Sequence, residues 1–176
     1  MGILKAAGTF ITGQYKEAAE EVWGLIQGWK FFLENEVVVG IPEETNVSEG
    51  PFTSAGLLYL HEQGVPSRNI PPRPVLHPAL EQEDVQEKIE DLMKTAAEAA
   101  LVGGDMEKAK NCFEKAGMVG RDACREWITG GHVAPNAPST IARKKAKGDN
   151  KKGEPIALID TGAMFGALSY AVRRKK

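Results

Sequence analysis

Two stretches in the middle of the chain carry apolar residues at the spacing of an amphipathic helix. In residues 81–101 apolar side chains recur every three or four positions, and acidic residues crowd the first half, where they complement the helix dipole. Residues 105–129 show the same spacing, and Asp105 stands where an N-cap is expected. A Gly-Gly pair separates the two stretches. The pattern therefore predicts a helix pair over 81–129, joined by a short turn and packed antiparallel.

The second helix of this pair carries small residues along one stripe. Such a stripe lets the helix approach a partner helix or a sheet closely, because no large side chain holds the two backbones apart. Two cysteines on the same helix are neither a CxxC pair nor a disulfide framework, and we expect them to be small buried side chains. The small residues are Ala109, Ala116, Gly117, Gly120 and Ala123, and the cysteines are Cys112 and Cys124.

A further helix is predicted near the N-terminus, over residues 14–33. Its apolar residues also recur at three and four positions, and its acidic residues lie toward the start. Trp23 and Trp29 lie on this stripe, and Trp127 lies on the stripe of the second central helix. We expect all three tryptophans to be core residues.

Strand patterns occur in two places, and both are short. Residues 37–41 form a β-branched run that ends at a proline, and residues 167–174 end the chain in an apolar–polar alternation. The segment GLLYLHEQG is a short helix or strand. Together these elements predict an α+β fold, with a small mostly antiparallel sheet, two long helices packed on one face and long Pro/Gly-rich loops. We expect one domain over residues 1–176.

Composition and charge exclude several classes of protein. The chain has 176 residues, a formal net charge of −2 and 42% hydrophobic residues, which fits an ordinary globular domain. Its charge provides no global field for nucleic acid or an anionic membrane. The start of the chain lacks a signal-peptide pattern, and no run of apolar residues is long enough to span a membrane. We expect a cytoplasm-like compartment.

One local segment departs from this neutrality. Residues 143–152, RKKAKGDNKK, hold six basic residues and one aspartate. The segment is either a solvated loop or a flexible arm that touches phosphate, in which case its affinity would fall steeply with salt. No aromatic residue interleaves with it, so base stacking is not indicated. A nucleic-acid-binding protein that uses this arm is the alternative function.

The triplet Asp160-Thr161-Gly162 is written like an aspartic-protease active site. Such an enzyme needs two carboxylates that share one proton, and a dimeric version needs several tens of residues after the triplet. Only fourteen residues follow Gly162 here. We instead expect Asp160 or Thr161 to cap a short helix, with Gly162 allowing the tight turn.

Other chemistry is not indicated. The three histidines, His61, His77 and His132, share no helix face and no metal-ligand spacing. Neither a nucleophile elbow nor a phosphate-binding loop is present. We therefore expect no enzyme, no metal and no cofactor.

Four short motifs follow one another in an order that resembles a known family. They are LHEQG, NIPPRPVLHP, APNAPSTIARKK and ALIDTGAMFGALSYAVR, and the likeness covers about residues 36–174. In this order they resemble the tail-completion and head–tail joining proteins of tailed bacteriophages, the neck or virion morphogenesis proteins. The residues that carry the likeness are His61, Glu62, Gly64, Pro71, Arg73, Pro74, Pro138, Thr140, Arg143, Lys144, Asp160, Thr161 and Gly162.

The resemblance implies a structural virion protein that forms a homo-oligomeric ring at the head–tail junction. The ring would assemble in the host bacterial cytoplasm, with six subunits favoured over twelve. Its implied partners are copies of the chain, the head connector or adaptor, and the tail tube or tail terminator. Genomic DNA would pass through the lumen without sequence-specific contact, and no membrane is involved. A ring requires heterologous contacts, in which each subunit offers two different patches.

The NIPPRP segment suits such a ring as an extended arm. Its prolines restrict the unbound chain, so that docking costs less conformational entropy. Arg73 could bond a neighbouring subunit through a bidentate pair or through carbonyls. Equally, it could pin the arm to its own domain.

Overall fold

Helices and short antiparallel strands make up the part of the chain that the computed structural model describes, residues 2–146 and 155–175. The α+β class is confirmed. The helices are α1 (Gly2–Glu34), α2 (Ser54–Gln63), α3 (Leu76–Leu80), α4 (Glu83–Leu101), α5 (Met106–Thr129), α6 (Pro138–Ala146) and α7 (Ala163–Ala167). The strands are β1 (Asn35–Gly40), β2 (Ser48–Glu49), β3 (Phe52–Thr53) and β4 (Ser169–Arg174). None of the described helices is long and apolar enough to cross a membrane.

The helix pair α4 and α5 forms the centre of the fold, as the periodicity predicted. The Asp105 carboxylate caps α5 by accepting a hydrogen bond from the amide of Lys108 at 2.9 Å. Gly104 takes a left-handed conformation, with φ 62°, in the short link. The chain therefore turns back on itself within four residues, and the two helices pack antiparallel.

The sheet is a two-stranded antiparallel ribbon of β1 and β4 that lies on α5. Val38 pairs with Ala171 in its middle, and β2 and β3 form a separate small hairpin. A Cβ at Gly117 would overlap the ring of Tyr170, and one at Gly120 would lie 2.7 Å from Val39 Cγ2. The close approach predicted from the small residues of α5 is confirmed, and its partner is the ribbon.

Two clusters of buried residues make up the core. The first joins α2, α3 and the C-terminal half of α5 to α7, and includes Leu58, Val75, Ile128 and Leu168. In the second, alanines of α4 and α5 pack against the last turns of α1. There the rings of Phe31 and Phe113 meet edge to face, with centroids 4.8 Å apart. Both cysteines are free and buried, as expected.

The N-terminal helix differs from its prediction in length and in burial. It begins at Gly2 rather than near residue 14. The body covers only one side of its last turns, where a Cβ at Gly28 would lie 2.7 Å from the Ala100 carbonyl oxygen. Trp23 and Trp29 point away from this contact and are 62% and 58% exposed, so the expectation that they are core residues was wrong. Trp127 is half-buried, and its ring stacks on His132.

The structure describes only the first four residues of the basic segment 143–152. Residues 143–146 are the last residues of α6, which begins at Pro138. Residues 147–152 lie outside the described part of the chain. Residues 143–146 are therefore helical rather than a loop, and Arg143 and Lys145 are exposed as expected. The expectation of a solvated side chain was wrong for Lys144, which is buried.

Candidate functional site

Residues from all four motifs converge on one pocket of about 360 Å³. It lies between α2, the proline arm, α6 and the segment 155–162. Positions almost a hundred residues apart in the chain thus come to share one surface. The motif residues that line it are His61, Arg73, Thr140, Arg143, Lys144, Asp160, Thr161 and Gly162, and we call it the motif pocket.

The first motif closes one side of the pocket by joining α2 to the arm. The Glu62 carboxylate accepts hydrogen bonds from the backbone amides of Val75 and Leu76, at 2.8 and 2.9 Å. These amides belong to the start of α3, where an anionic group also complements the helix dipole. Glu62 therefore stabilises the end of the arm rather than facing a ligand.

Gly64 is needed for the chain to turn from α2 into the arm. Its φ is 69°, a conformation that residues with a side chain rarely adopt. In addition, a Cβ at this position would lie 2.6 Å from the nitrogen of Pro72 and 2.9 Å from the Ile70 carbonyl oxygen. Both the backbone angle and the lack of space require glycine here.

Arg73 pins the arm to its own domain. The side chain is buried, its Nε donates to the Ala134 carbonyl at 2.7 Å, and its Nη2 donates to the Pro135 carbonyl at 2.9 Å. Burial lowers the pKa of this guanidinium. Of the two roles that the sequence left open for Arg73, contact within the domain is the one observed.

The prolines of the arm and of α6 lie around the pocket rather than in it. Pro71 and Pro74 are exposed, and the Pro74 carbonyl accepts a hydrogen bond from the indole nitrogen of Trp127 at 3.2 Å. Pro138 is the first residue of α6, where its missing N–H costs no helical hydrogen bond.

His61 has one ring nitrogen in an unusual position. Its Nδ1 is buried and has no hydrogen-bond partner among the described residues. Its carbonyl oxygen accepts from the Arg73 amide at 2.6 Å. Burial, and secondly the nearby charge of Arg73, lower the pKa of His61 below its ordinary 6.5. The imidazole is therefore neutral at neutral pH.

Lys144 is the most deeply buried charged side chain of the pocket, with 3% of its surface exposed. Its ammonium group donates hydrogen bonds to the carbonyls of Ile156 and Ile159. A short distance away, the Asn136 amide donates to the Pro155 carbonyl at 2.9 Å. Both side chains thereby hold the segment that leads into the Asp-Thr-Gly triplet.

The triplet itself begins α7, but not through the cap that the sequence predicted. Gly162 is the N-cap residue, with φ 84°. The Thr161 hydroxyl accepts a hydrogen bond from the amide of Ala163 at 3.2 Å, so Thr161 supports the turn from one position further out. Asp160 is exposed and forms no part of the helix cap.

The charges around the motif pocket are mainly positive. Arg73, Arg143 and Lys144 line it, and Asp160 is the only carboxylate among its described lining residues. The pair of neighbouring carboxylates that an aspartic protease requires is therefore not formed by these residues. Within the described ranges, no group of three or more His, Cys, Asp or Glu side chains is placed to hold a metal ion.

Two residues of this region were not among the candidate site residues of the sequence, although Asn136 lies within the third motif. Asn136 lines the pocket, and Arg125 donates to the Leu168 carbonyl at 2.7 Å, which holds α7 on α5. Both bond to carbonyl groups more than fifteen residues away in the chain, and a local pattern contains no trace of such partners.

No protein-family model, curated protein or solved structure matches this chain. The candidate site is therefore defined by its own geometry.

Proposed function

We propose that the protein is a structural component of the neck of a tailed bacteriophage. In this function copies of the chain form a closed ring that completes the tail or joins it to the head connector. The proposal combines the motif order of the sequence with the use to which the motif residues are put in the fold.

The observation that carries the proposal is what the charged motif residues bind. Arg73, Lys144 and Glu62 direct their charges at backbone carbonyls and amides of the arm, of the loop after α5 and of the segment before α7. Hydrogen bonds of charged groups to buried backbone are worth about 1.5–3 kcal/mol each. Side chains used in this way shape irregular segments into one rigid surface, which is what a subunit of a ring requires.

The overall charge is consistent with a conduit for DNA. A strongly basic lumen would retain the passing duplex, because each neutralised phosphate adds to the affinity. A chain with a net charge of −2 avoids such retention of the DNA. The proposed partners are the neighbouring copies, the head connector or adaptor and the tail tube or tail terminator.

The assembly itself tests this proposal. The purified protein, alone and mixed with phage heads and tails that lack a neck, should form rings visible by electron microscopy, with a mass that corresponds to a closed oligomer. Six copies are expected, to match the symmetry of a tail. A protein that stays monomeric alone and with both particles contradicts the proposal.

Catalysis through Asp160 would also contradict it. Asp160→Asn removes the negative charge of the triplet without changing its size, so it leaves a structural role intact. A protease would lose peptide cleavage with this substitution. The measurement is turnover of a peptide library by the wild type and by the variant, and turnover that depends on Asp160 overturns the structural function.

A further inference from the structure

Helix α1 exposes an unusually apolar face on the side that points away from the body. Its exposed fractions range from 43% at Leu25 to 67% at Leu33. We call this surface the α1 face, and it consists of Val22, Trp23, Leu25, Ile26, Trp29 and Leu33. Four of these residues are spaced by four, three and four positions, which is the repeat of a coiled-coil seam. The seam residues are Val22, Ile26, Trp29 and Leu33.

The area of the α1 face is that of an interface. A large side chain buries roughly 150–250 Å², so the exposed fractions correspond to on the order of 700 Å² for the six residues. The largest apolar patch of a typical monomer covers about 300–600 Å². A standard interface buries about 800 Å² on each partner. The α1 face is therefore too large for a surface that remains in water and nearly sufficient for a stable dimer.

We propose that the α1 face binds the α1 face of a second copy of this chain, with the two helices antiparallel. In antiparallel coiled coils the two seam positions of one helix alternate with those of the other. A pair centred on residue 24 places Val22 opposite Ile26 of the second copy. The same register places Trp29 opposite Ala19 of the second copy, and Ala19 is also exposed. The largest seam side chain thus meets the smallest, which is the condition for close packing.

This contact does not rest on the proposed neck function. A two-fold contact uses one patch twice and closes on itself, whereas a ring needs two different patches. The α1 face lies on the opposite side of α1 from the domain body, so the surfaces around the motif pocket stay accessible in the dimer. Failure of ring formation and failure of the α1 contact are consequently separate results.

Cysteine cross-linking tests the register directly. A Val22→Cys chain mixed with an Ile26→Cys chain should be joined by a short bismaleimide at least tenfold faster than either chain with itself. Ile26→Cys mixed with Met118→Cys is the matched control, because Met118 is exposed on α5, away from the seam. The natural cysteines are buried, and burial raises the pKa of Cys124 to about 11, which keeps its thiol protonated and slow to react.

Trp29→Glu introduces a charge into the seam at a position that is exposed in the single chain. It should leave the circular dichroism spectrum unchanged and weaken dimerisation at least a hundredfold. Cysteine variants that cross-link equally fast at all positions, or an Ile26→Cys chain that cross-links fastest with itself, overturn the antiparallel pair. So does a dimer that survives Trp29→Glu.

Discussion

Single residues in the motif pocket and in the turn beside it are determined by backbone geometry as much as by charge. Gly64 combines a left-handed backbone with a position that has no room for a side chain. The buried Nδ1 of His61 finds no hydrogen-bond partner in the described part of the chain, and Arg73 donates to two carbonyls. Each of these features gives the substitution of that residue a characteristic energetic result.

Gly64→Ala should destabilise the fold by more than a left-handed backbone alone explains. With φ 69° and ψ 172°, that backbone is nearly confined to glycine and costs a residue with a Cβ roughly 1–3 kcal/mol, and the overlap with Pro72 adds roughly 1–3 kcal/mol. Gly104→Ala is the matched control, because Gly104 has φ 62° but nothing within 4 Å of the added Cβ. Urea denaturation of both variants measures the difference. Equal losses would mean that the arm moves freely away from position 64.

His61 should make the protein less stable as the pH falls. Burial first, and Arg73 second, lower its pKa in the fold below the 6.5 of the unfolded chain. Between these two pKa values the unfolded chain binds a proton that the folded chain does not, so the free energy of unfolding decreases as the pH falls through this window. Above pH 6.5 the contribution is constant, and below the lowered pKa the loss is complete.

The variant His61→Gln should remove this part of the pH dependence. Urea denaturation at several pH values from 7.5 downward gives the slope for the wild type and for the variant. His77→Gln is the control, since His77 is 81% exposed at its side chain and should leave the decline in place. An unchanged slope in His61→Gln would assign the acid sensitivity to other groups.

Among the elements, α5 decides how the sheet is placed. Its glycines allow the β1–β4 ribbon to lie directly on the helix backbone, and its N-terminal half packs on the alanines of α4. In an ordinary helix interior, replacement of glycine by alanine stabilises by roughly 0.5–1 kcal/mol, because glycine loses more entropy on folding. On α5 the ribbon reverses this expectation.

Gly117→Ala should destabilise the protein by roughly 1–3 kcal/mol, because its Cβ would overlap the ring of Tyr170. Gly24→Ala in α1 is the control, because a Cβ added there meets no described atom within 4 Å. This variant should leave the free energy of unfolding unchanged or raise it. The loss should shrink when Gly117→Ala is combined with Tyr170→Ala, since the colliding ring is then absent. Thermal and urea denaturation of these three variants and of Tyr170→Ala alone measure this coupling. A loss that persists without the ring would point to the helix itself.

At the scale of the whole molecule, the exposed and buried basic residues of α6 have different tasks. Arg143 and Lys145 are exposed, whereas Lys144 binds the carbonyls that lead into the triplet. The rival nucleic-acid-binding function needs cations that face solvent. It therefore depends on the exposed Arg143 and Lys145 of α6 and on Lys151 and Lys152. The last two lie outside the described residues.

Charge reversal of Arg143, Lys145, Lys151 and Lys152 separates the two functions. In a neck protein it should leave the fold and ring assembly intact, and affinity for duplex DNA should be weak before and after. Gel shifts at low and physiological salt measure the affinity, and a large loss with an unchanged fold favours the nucleic-acid-binding function.

Lys144→Ala is the contrasting variant. It should cost roughly 1–3 kcal/mol of stability, because the partly buried carbonyls of Ile156 and Ile159 lose their donor.

The amino-acid sequence by itself determined the regular elements that contain their own signal. The period of three to four residues predicted the helix pair, alternation predicted the last strand, and the small residues of α5 predicted a close contact. These properties depend on neighbours within a few positions, so a local pattern records them. The burial of Trp23 and Trp29 was predicted wrongly for the same reason: periodicity shows that a helix has an apolar side but does not show what covers it.

Only the tertiary structure decided where the polar motif residues act. Arg73 and Ala134 are about sixty positions apart, and Lys144 donates to the carbonyls of Ile156 and Ile159, which lie 12 and 15 positions further along the chain. Contacts of this kind depend on how the helices and loops pack in three dimensions. Packing also decided that one side of α1 meets the body while the other faces away, because the α4–α5 pair is wide enough to cover only one side of the helix.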